Sequence, residues 1–131
     1  MRNVINFLHL QQNPMLMDKF IRELILTPEF EEYYNSVTDK VKEKYDYVMY
    51  ILRSQRVVSA KFVKLIEKTN IYEMRVSVGN NEYRTFLFAV DASNIIESSQ
   101  VILLNSFLKK DTKQYKAEIE KAKTILKNLE D

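Results

Sequence analysis

Apolar positions along the 131-residue chain change their period several times, and each change predicts an element. Between Lys19 and Leu26, alternation puts Phe20, Arg22, Leu24 and Leu26 on one side. A helix is compatible with so short a run. An edge strand is favoured, because Thr27-Pro28-Glu29 follows as a helix start: Thr as N-cap, Pro at the first helical position, an acid in the first turn. That helix is predicted to run from Pro28 to about Asn35. A second helix is predicted from Thr38 or Asp39 to about Ser54, because Val41, Tyr45, Val48 and Leu52 recur on one helical face. Tyr47, Tyr50 and Ile51 widen that face, and its aromatics read as core in preference to a binding stripe.

Residues 55–70 read as a connector in which Phe62, Val63, Leu65 and Ile66 tuck onto a sheet while the lysines face water. Tyr72 to Val78 alternates cleanly, with Tyr72, Met74, Val76 and Val78 inward and Glu73, Arg75 and Ser77 outward. Gly79-Asn80-Asn81 supplies a turn, and Glu82 to Val90 the partner strand of a hairpin. Its residues are apolar on both faces apart from Arg84. After Asp91-Ala92-Ser93-Asn94 a further strand is predicted from Ile95 to Leu104. A last helix, from about Lys113 to Leu129, has Asp111 or Thr112 as N-cap and Tyr115, Ile119, Ala122, Leu126 and Leu129 as its apolar stripe. The order predicts an α+β fold: a small antiparallel sheet of three to four strands, an N-terminal helical hairpin and a C-terminal helix. Residues 1–17 read as an N-terminal extension to a domain over 18–131. The extension is either a short arm or a stretch ahead of the true start at Met15 or Met17.

Composition then removes several chemistries. With no Cys, neither a disulfide framework nor a thiolate metal site is available, and His9, the one histidine, cannot build a multi-histidine site or a Ser-His-Asp mechanism. Gly79 is the one glycine, so there is no glycine-rich phosphate loop. No acidic cluster has metal-ligand spacing, and neither metal nor cofactor is expected. No apolar run approaches the roughly 18–20 residues of a membrane span, and the N-terminus makes a poor signal peptide. A cytoplasmic location is expected.

Charge is unevenly placed. Residues 48–116 carry eleven basic against six acidic side chains, while residues 1–47 carry six against eight and residues 117–131 three against four. A basic middle between acidic ends admits a polyanionic partner, although such a block is often only a solvated face. Within it, Arg75 and Arg84 fall on consecutive strands and Lys109-Lys110 follows the third. A charge placed mid-sheet is costly to desolvate unless it meets a cleft, a partner or a carboxylate. Converging cations would suit a phosphate. Alternatively, Arg75 pairs with Glu73 or Glu82, and Arg84 with Asp91 or a helix acid.

Four segments in order, Ile71-Tyr72-Glu73-Met74-Arg75-Val76, Tyr83-Arg84, Val101 to Lys113 (VILLNSFLKKDTK) and Glu118-Ile119-Glu120-Lys121-Ala122, resemble the phage-derived HigB-like branch of the RelE/ParE toxin superfamily. The resemblance spans about residues 19–131. It implies a RelE-like fold and the toxin of a type II toxin–antitoxin system. That toxin would be an endoribonuclease that cuts mRNA in the ribosomal A site by metal-free 2′-OH attack, with a helix-turn-helix antitoxin as partner. A gyrase-inhibiting or non-catalytic toxin that mainly binds its antitoxin is the alternative. By position, Arg75 and Arg84 match the cations that grip the scissile phosphate, and Lys109 and Lys110 match a basic pair that neutralises charge or helps the leaving group. Glu73 is then a base or only the partner of Arg75, and Tyr115 is core stripe or active-site edge. Lys61, Lys64 and Lys113 would bind RNA. The chain departs from the pattern at Gln114-Tyr115, where a proline is usual, and at Asn105-Ser106, where His-Gly is common.

Overall fold

The computed structural model describes residues 20–130, so the expected extension 1–17 lies outside the described residues. Its elements are β1 (Glu23–Leu26), α1 (Pro28–Ser36), α2 (Asp39–Ser54), β2 (Val63–Leu65), β3 (Tyr72–Val78), β4 (Asn81–Ala89), β5 (Gln100–Leu108) and α3 (Thr112–Glu130). The predicted helical hairpin and C-terminal helix form with the expected caps. Thr27 accepts from the Phe30 amide at 3.1 Å, Thr38 from the Val41 amide at 3.4 Å, and Asp111 Oδ1 from the Gln114 amide at 2.8 Å. Each satisfies an amide that the first helical turn leaves without an intrahelical acceptor.

The sheet corrects the prediction in two ways. It has five strands in the order β1-β5-β4-β3-β2, and β1 pairs with β5 in parallel, so the sheet is mixed and not wholly antiparallel. The extra strand, β2, comes from the supposed connector: Val63, Lys64 and Leu65 pair with Met74, Glu73 and Tyr72. Being only three residues long, it leaves the second half of β3 uncovered, and Leu65 is exposed where it was expected to tuck in. The last strand is shifted too. It starts at Gln100 and reaches Leu108, because residues 91–99 fold into turns in which Asp91 accepts from the Ser99 and Gln100 amides. The hairpin turn is Gly79-Asn80, with Gly79 at φ 61, and Asn81 already belongs to β4.

Two cores flank the sheet. On one side α1 and α2 bury Phe30, Tyr45, Val48 and Leu52 against Met74, Val76, Leu87 and Leu103. On the other, α3 covers Ile71, Phe86, Leu104 and Phe107 with Ala122 and Ile125. Ile125 takes the place expected for Leu129, which is exposed. Because helices cover both faces, the side of β3 assigned to solvent is not all wet, and Glu73 is buried at 5% exposure. Tyr47 is the reverse case, 53% exposed where core was expected.

One irregularity sets the site. Thr85 pairs with Ser106 but Leu87 with Leu103, so β5 carries one extra residue opposite Phe86. Such a bulge reverses the side-chain alternation beyond it. Leu103 faces the α1–α2 core, yet Phe107 packs under α3. Ser106 points to the α2 side, 2.8 Å from the Tyr45 and Thr85 hydroxyls, and donates to the Arg84 carbonyl at 2.9 Å. That buried hydroxyl network holds the backbone of Arg84 from behind.

Arg22, just ahead of β1, is 2% exposed. Its guanidinium donates to the carbonyls of Leu52, Gln55, Arg56 and Ile95 at 2.6–3.1 Å. The cation thus closes the C-terminal end of α2, where free carbonyls and the helix dipole favour positive charge, and joins it to the 91–99 turns.

Candidate active site

Glu73 and Arg75 of β3, Glu82 and Arg84 of β4, Lys109 after β5 and Tyr115 of α3 meet on the α3 side of the sheet. Odd-numbered β3 positions and even-numbered β4 positions share that face, and the register sets Arg75 directly opposite Arg84. Glu73 links the group. Its Oε2 accepts from Arg75 Nε at 2.6 Å and lies 3.8 Å from Arg84 Nε, while its Oε1 accepts from the Tyr115 hydroxyl. Glu82 Oε1 accepts from Arg84 Nη1 at 3.3 Å and from Ser77 at 2.7 Å. Arg84 also donates from Nη1 to the Tyr83 carbonyl at 3.0 Å. Of the two carboxylates expected for Arg75, Glu73 pairs with it, and Glu82 pairs with Arg84 instead. The carboxylates beside Arg84 are thus Glu82 and Glu73, not Asp91.

The two arginines differ in freedom. Arg75 is about one-third exposed, whereas Arg84 is 6% exposed and its buried Nε–H has no hydrogen-bond acceptor. A carboxylate 3.8 Å away supplies charge but not a hydrogen bond.

Lys109 is held in place by its amide, which donates to the Glu82 carbonyl at 2.8 Å, and its ammonium sits 5.6 Å from the Tyr115 ring centroid. The Tyr115 ring packs edge-on against Phe86 and Phe107. The residue is thus both part of the small α3 core and part of the polar cluster. Glu73, Arg75, Lys109, Tyr115 and Lys64 line one cleft of about 540 Å³. Lys110 and Lys113 are exposed around the start of α3 and are not among the residues lining it. Lys61 lines a neighbouring groove that shares Arg75. Among the described residues, no group of three or more His, Asp or Glu side chains is placed to hold a metal ion.

Electrostatics define the resting protonation states. Burial pushes the Glu73 carboxyl upward, but the Tyr115 and Arg75 hydrogen bonds and the two guanidinium charges outweigh it, so its pKa falls below the ordinary 4.5. Burial and the Glu73 carboxylate push Tyr115 above its ordinary 10. At neutral pH the pair is a carboxylate and a neutral phenol donating to it.

The sequence marks Gln114 only as a departure from the family pattern. Its side chain accepts from the Lys110 amide at 2.8 Å and donates to the Leu108 carbonyl at 2.9 Å, fixing the turn that carries the dilysine. Only its place beside the motif could have pointed to it. The other departure is structural: Asn105 donates to the backbone and side chain of Glu118 at 3.1 and 2.9 Å, while Ser106 anchors Arg84.

Comparison with known proteins agrees with this architecture. No curated protein sequence matches the chain. Among solved structures, the Escherichia coli toxin RelE, in a double arginine-to-alanine mutant in the free state, is similar at a TM-score of 0.55. The two share 13% identity over 76% of this chain and 96% of that one, so the likeness is one of fold. The family model for phage-derived Gp49-like proteins matches residues 32–127, well over half the chain. On that match the chain belongs to the phage-derived Gp49-like family, and it carries the fold of the RelE toxins.

Proposed function

We propose that this protein is the toxin of a toxin–antitoxin pair and a ribosome-dependent endoribonuclease. It would cleave mRNA by metal-free attack of a 2′-OH on the adjacent phosphodiester. In that reaction the 2′-oxygen bonds to phosphorus as the bond to the 5′-oxygen breaks, leaving a 2′,3′-cyclic phosphate and a 5′-hydroxyl. One proton leaves the 2′-OH and one reaches the 5′-oxygen, while negative charge grows on the non-bridging oxygens.

The observation that carries the reading is the buried Arg84 Nε–H without an acceptor, directly opposite Arg75 in the β3–β4 register, where Arg75 and Lys109 line one cleft and Arg84 lies beneath it. A phosphate oxygen is the acceptor such a donor lacks, and a guanidinium fork suits it. In the free protein Glu73 holds the place of the anion. As RNA phosphate enters, Arg75 exchanges Glu73 for the phosphate. The carboxylate loses the Arg75 hydrogen bond, one of the contacts that depress its pKa, and becomes a better acceptor for the 2′-OH proton. Lys109 and Lys110 neutralise the developing charge and protonate the leaving oxygen, and Lys64 and Lys113 hold the flanking backbone. A cytoplasmic site of action and a helix-turn-helix antitoxin that covers the cleft complete the proposal.

Expressing the chain inducibly and mapping mRNA 5′ ends tests it. Growth arrest with codon-phased cuts is the expected result. Growth arrest with DNA damage and intact mRNA would assign it instead to the gyrase-inhibiting branch.

A further inference from the structure

A second groove begins where the first ends. It lies at the part of β3 that the short β2 leaves uncovered, and Arg75 lines both grooves. Its other wall is aromatic. Tyr47 of α2, 53% exposed, meets Phe62 edge-on with centroids 6.1 Å apart and planes at 78°. Lys44 stands 5.9 Å from the Tyr47 ring and Lys61 5.5 Å from the Phe62 ring. Glu43 is the acid on the rim, so cations outnumber it. The Arg75 amide donates to the Phe62 carbonyl at 2.7 Å, which ties the aromatic pair to the strand that carries the phosphate-facing guanidinium.

A tyrosine needed only for the core would turn its ring inward, as Tyr45 two positions earlier does. Tyr47 instead offers a ring to solvent between lysines, beside a cationic cleft. Alternating aromatic faces and cations are the chemistry by which proteins hold single-stranded nucleic acid: bases stack on rings and the backbone follows the charge. A bare phosphate site would leave the rings without a role, and an apolar peptide would leave the lysines without one.

We infer that Tyr47 and Phe62 form a stacking platform for an unpaired nucleobase of the RNA whose phosphate the neighbouring cleft receives, with Lys44 and Lys61 on the flanking phosphates. The inference rests on the reading of that cleft as an RNA site. It adds a nucleobase subsite to it.

The test uses the full chain and a fluorescent, 2′-O-methylated hexaribonucleotide, which cannot be cleaved through its 2′-oxygen, beside an abasic hexamer of the same backbone. Anisotropy titration should give about tenfold or more tighter binding of the intact hexamer. Tyr47→Ala should remove that preference and leave abasic binding unchanged, while Tyr47→Phe keeps it. Equal binding of the two hexamers by the unsubstituted chain, or no binding, overturns the inference without need of any variant. So does an equal loss on both hexamers in Tyr47→Ala. Unchanged RNA binding with loss of antitoxin binding in Tyr47→Ala would assign the groove to a protein partner and also overturn it. A base preference without mRNA cleavage on ribosomes would leave the platform standing and refute only the nuclease.

Discussion

Arg75 and Arg84 face each other directly across the β3–β4 register, with Glu73 Oε2 near the Nε atom of both. Like charges in that position repel, and a buried guanidinium is costly without a counter-charge. Glu73 is what makes the pair tolerable in the free protein. Glu73→Gln keeps the shape and removes the charge. It should destabilise the fold by about 2 kcal/mol in urea denaturation, the scale of hydrogen bonds to charged groups. Inorganic phosphate should raise its melting temperature more than it raises that of the unsubstituted chain, because the anion restores the missing charge. Equal phosphate stabilisation in both would mean that the arginines do not form a shared anion site.

The same carboxylate sets an acid limit. A group whose folded pKa is depressed adds stability above its unfolded value and loses it as pH falls through the folded one. For Glu73 the loss starts near the ordinary 4.5 and continues below it. Denaturation midpoints at pH 7 and at pH 3.5 should therefore differ more in the unsubstituted chain than in Glu73→Gln. Glu82 and Asp91, also depressed, contribute to both proteins and cancel.

Tyr115 joins two structural roles that substitution separates. Tyr115→Phe keeps the edge contacts to Phe86 and Phe107 and loses only the hydrogen bond to Glu73. A loss of about 2 kcal/mol is expected, again the scale of a hydrogen bond to a charged group. Tyr115→Ala also opens a hole under α3 and should lose about 3 kcal/mol or more. Chemical denaturation of both variants checks the ordering. Tyr33, Tyr34 and Tyr45 are also raised above 10, so spectrophotometric titration should find one fewer late-ionising tyrosine in Tyr115→Phe than in the unsubstituted chain.

Arg22 predicts a large effect far from the cleft. Arg22→Met leaves the carbonyls of Leu52, Gln55 and Arg56 without this donor, while the Ile95 carbonyl keeps Ser98. A loss of about 2 kcal/mol is expected from the buried Leu52 carbonyl left unpaired and the partly buried Gln55 and Arg56 carbonyls left without the cation. Arg22→Lys should not restore it, since a single ammonium cannot reproduce the fork. Recovery of full stability in Arg22→Lys, read by thermal unfolding, would refute this account of the α2 terminus.

Helices were legible because their signals are local: Thr27-Pro28, Thr38 and Asp111 cap where the sequence places caps. The hairpin was legible from alternation and Gly79. Pairing over long distance was not. Val63-Lys64-Leu65 is too short to carry a period, and nothing within Glu23–Leu26 says that its partner is β5 or that the two run in parallel. Glu73 and Tyr47 were misjudged for a common reason. Local pattern tells which residues share a face, but α3 decides that the Glu73 face is covered, and the way α2 seats on the sheet decides that Tyr47 is not. Strand order anticipates the convergence of Arg75, Arg84 and Lys109, but not that Lys110, expected beside them, is exposed and does not line the cleft. The sharing of Glu73 with Tyr115 depends on where α3 lies, which no local pattern encodes.

Cleavage by Arg84→Ala measures the central claim most directly. Arg84 combines burial with a guanidinium N–H that has no acceptor, and in the proposed reaction its loss would remove transition-state charge stabilisation. Single-turnover cutting of mRNA on programmed ribosomes should be slowed by about 10²-fold or more, while circular dichroism reports an intact fold. Cutting at an unchanged rate in a folded Arg84→Ala protein would contradict the assignment of this cleft as the catalytic site.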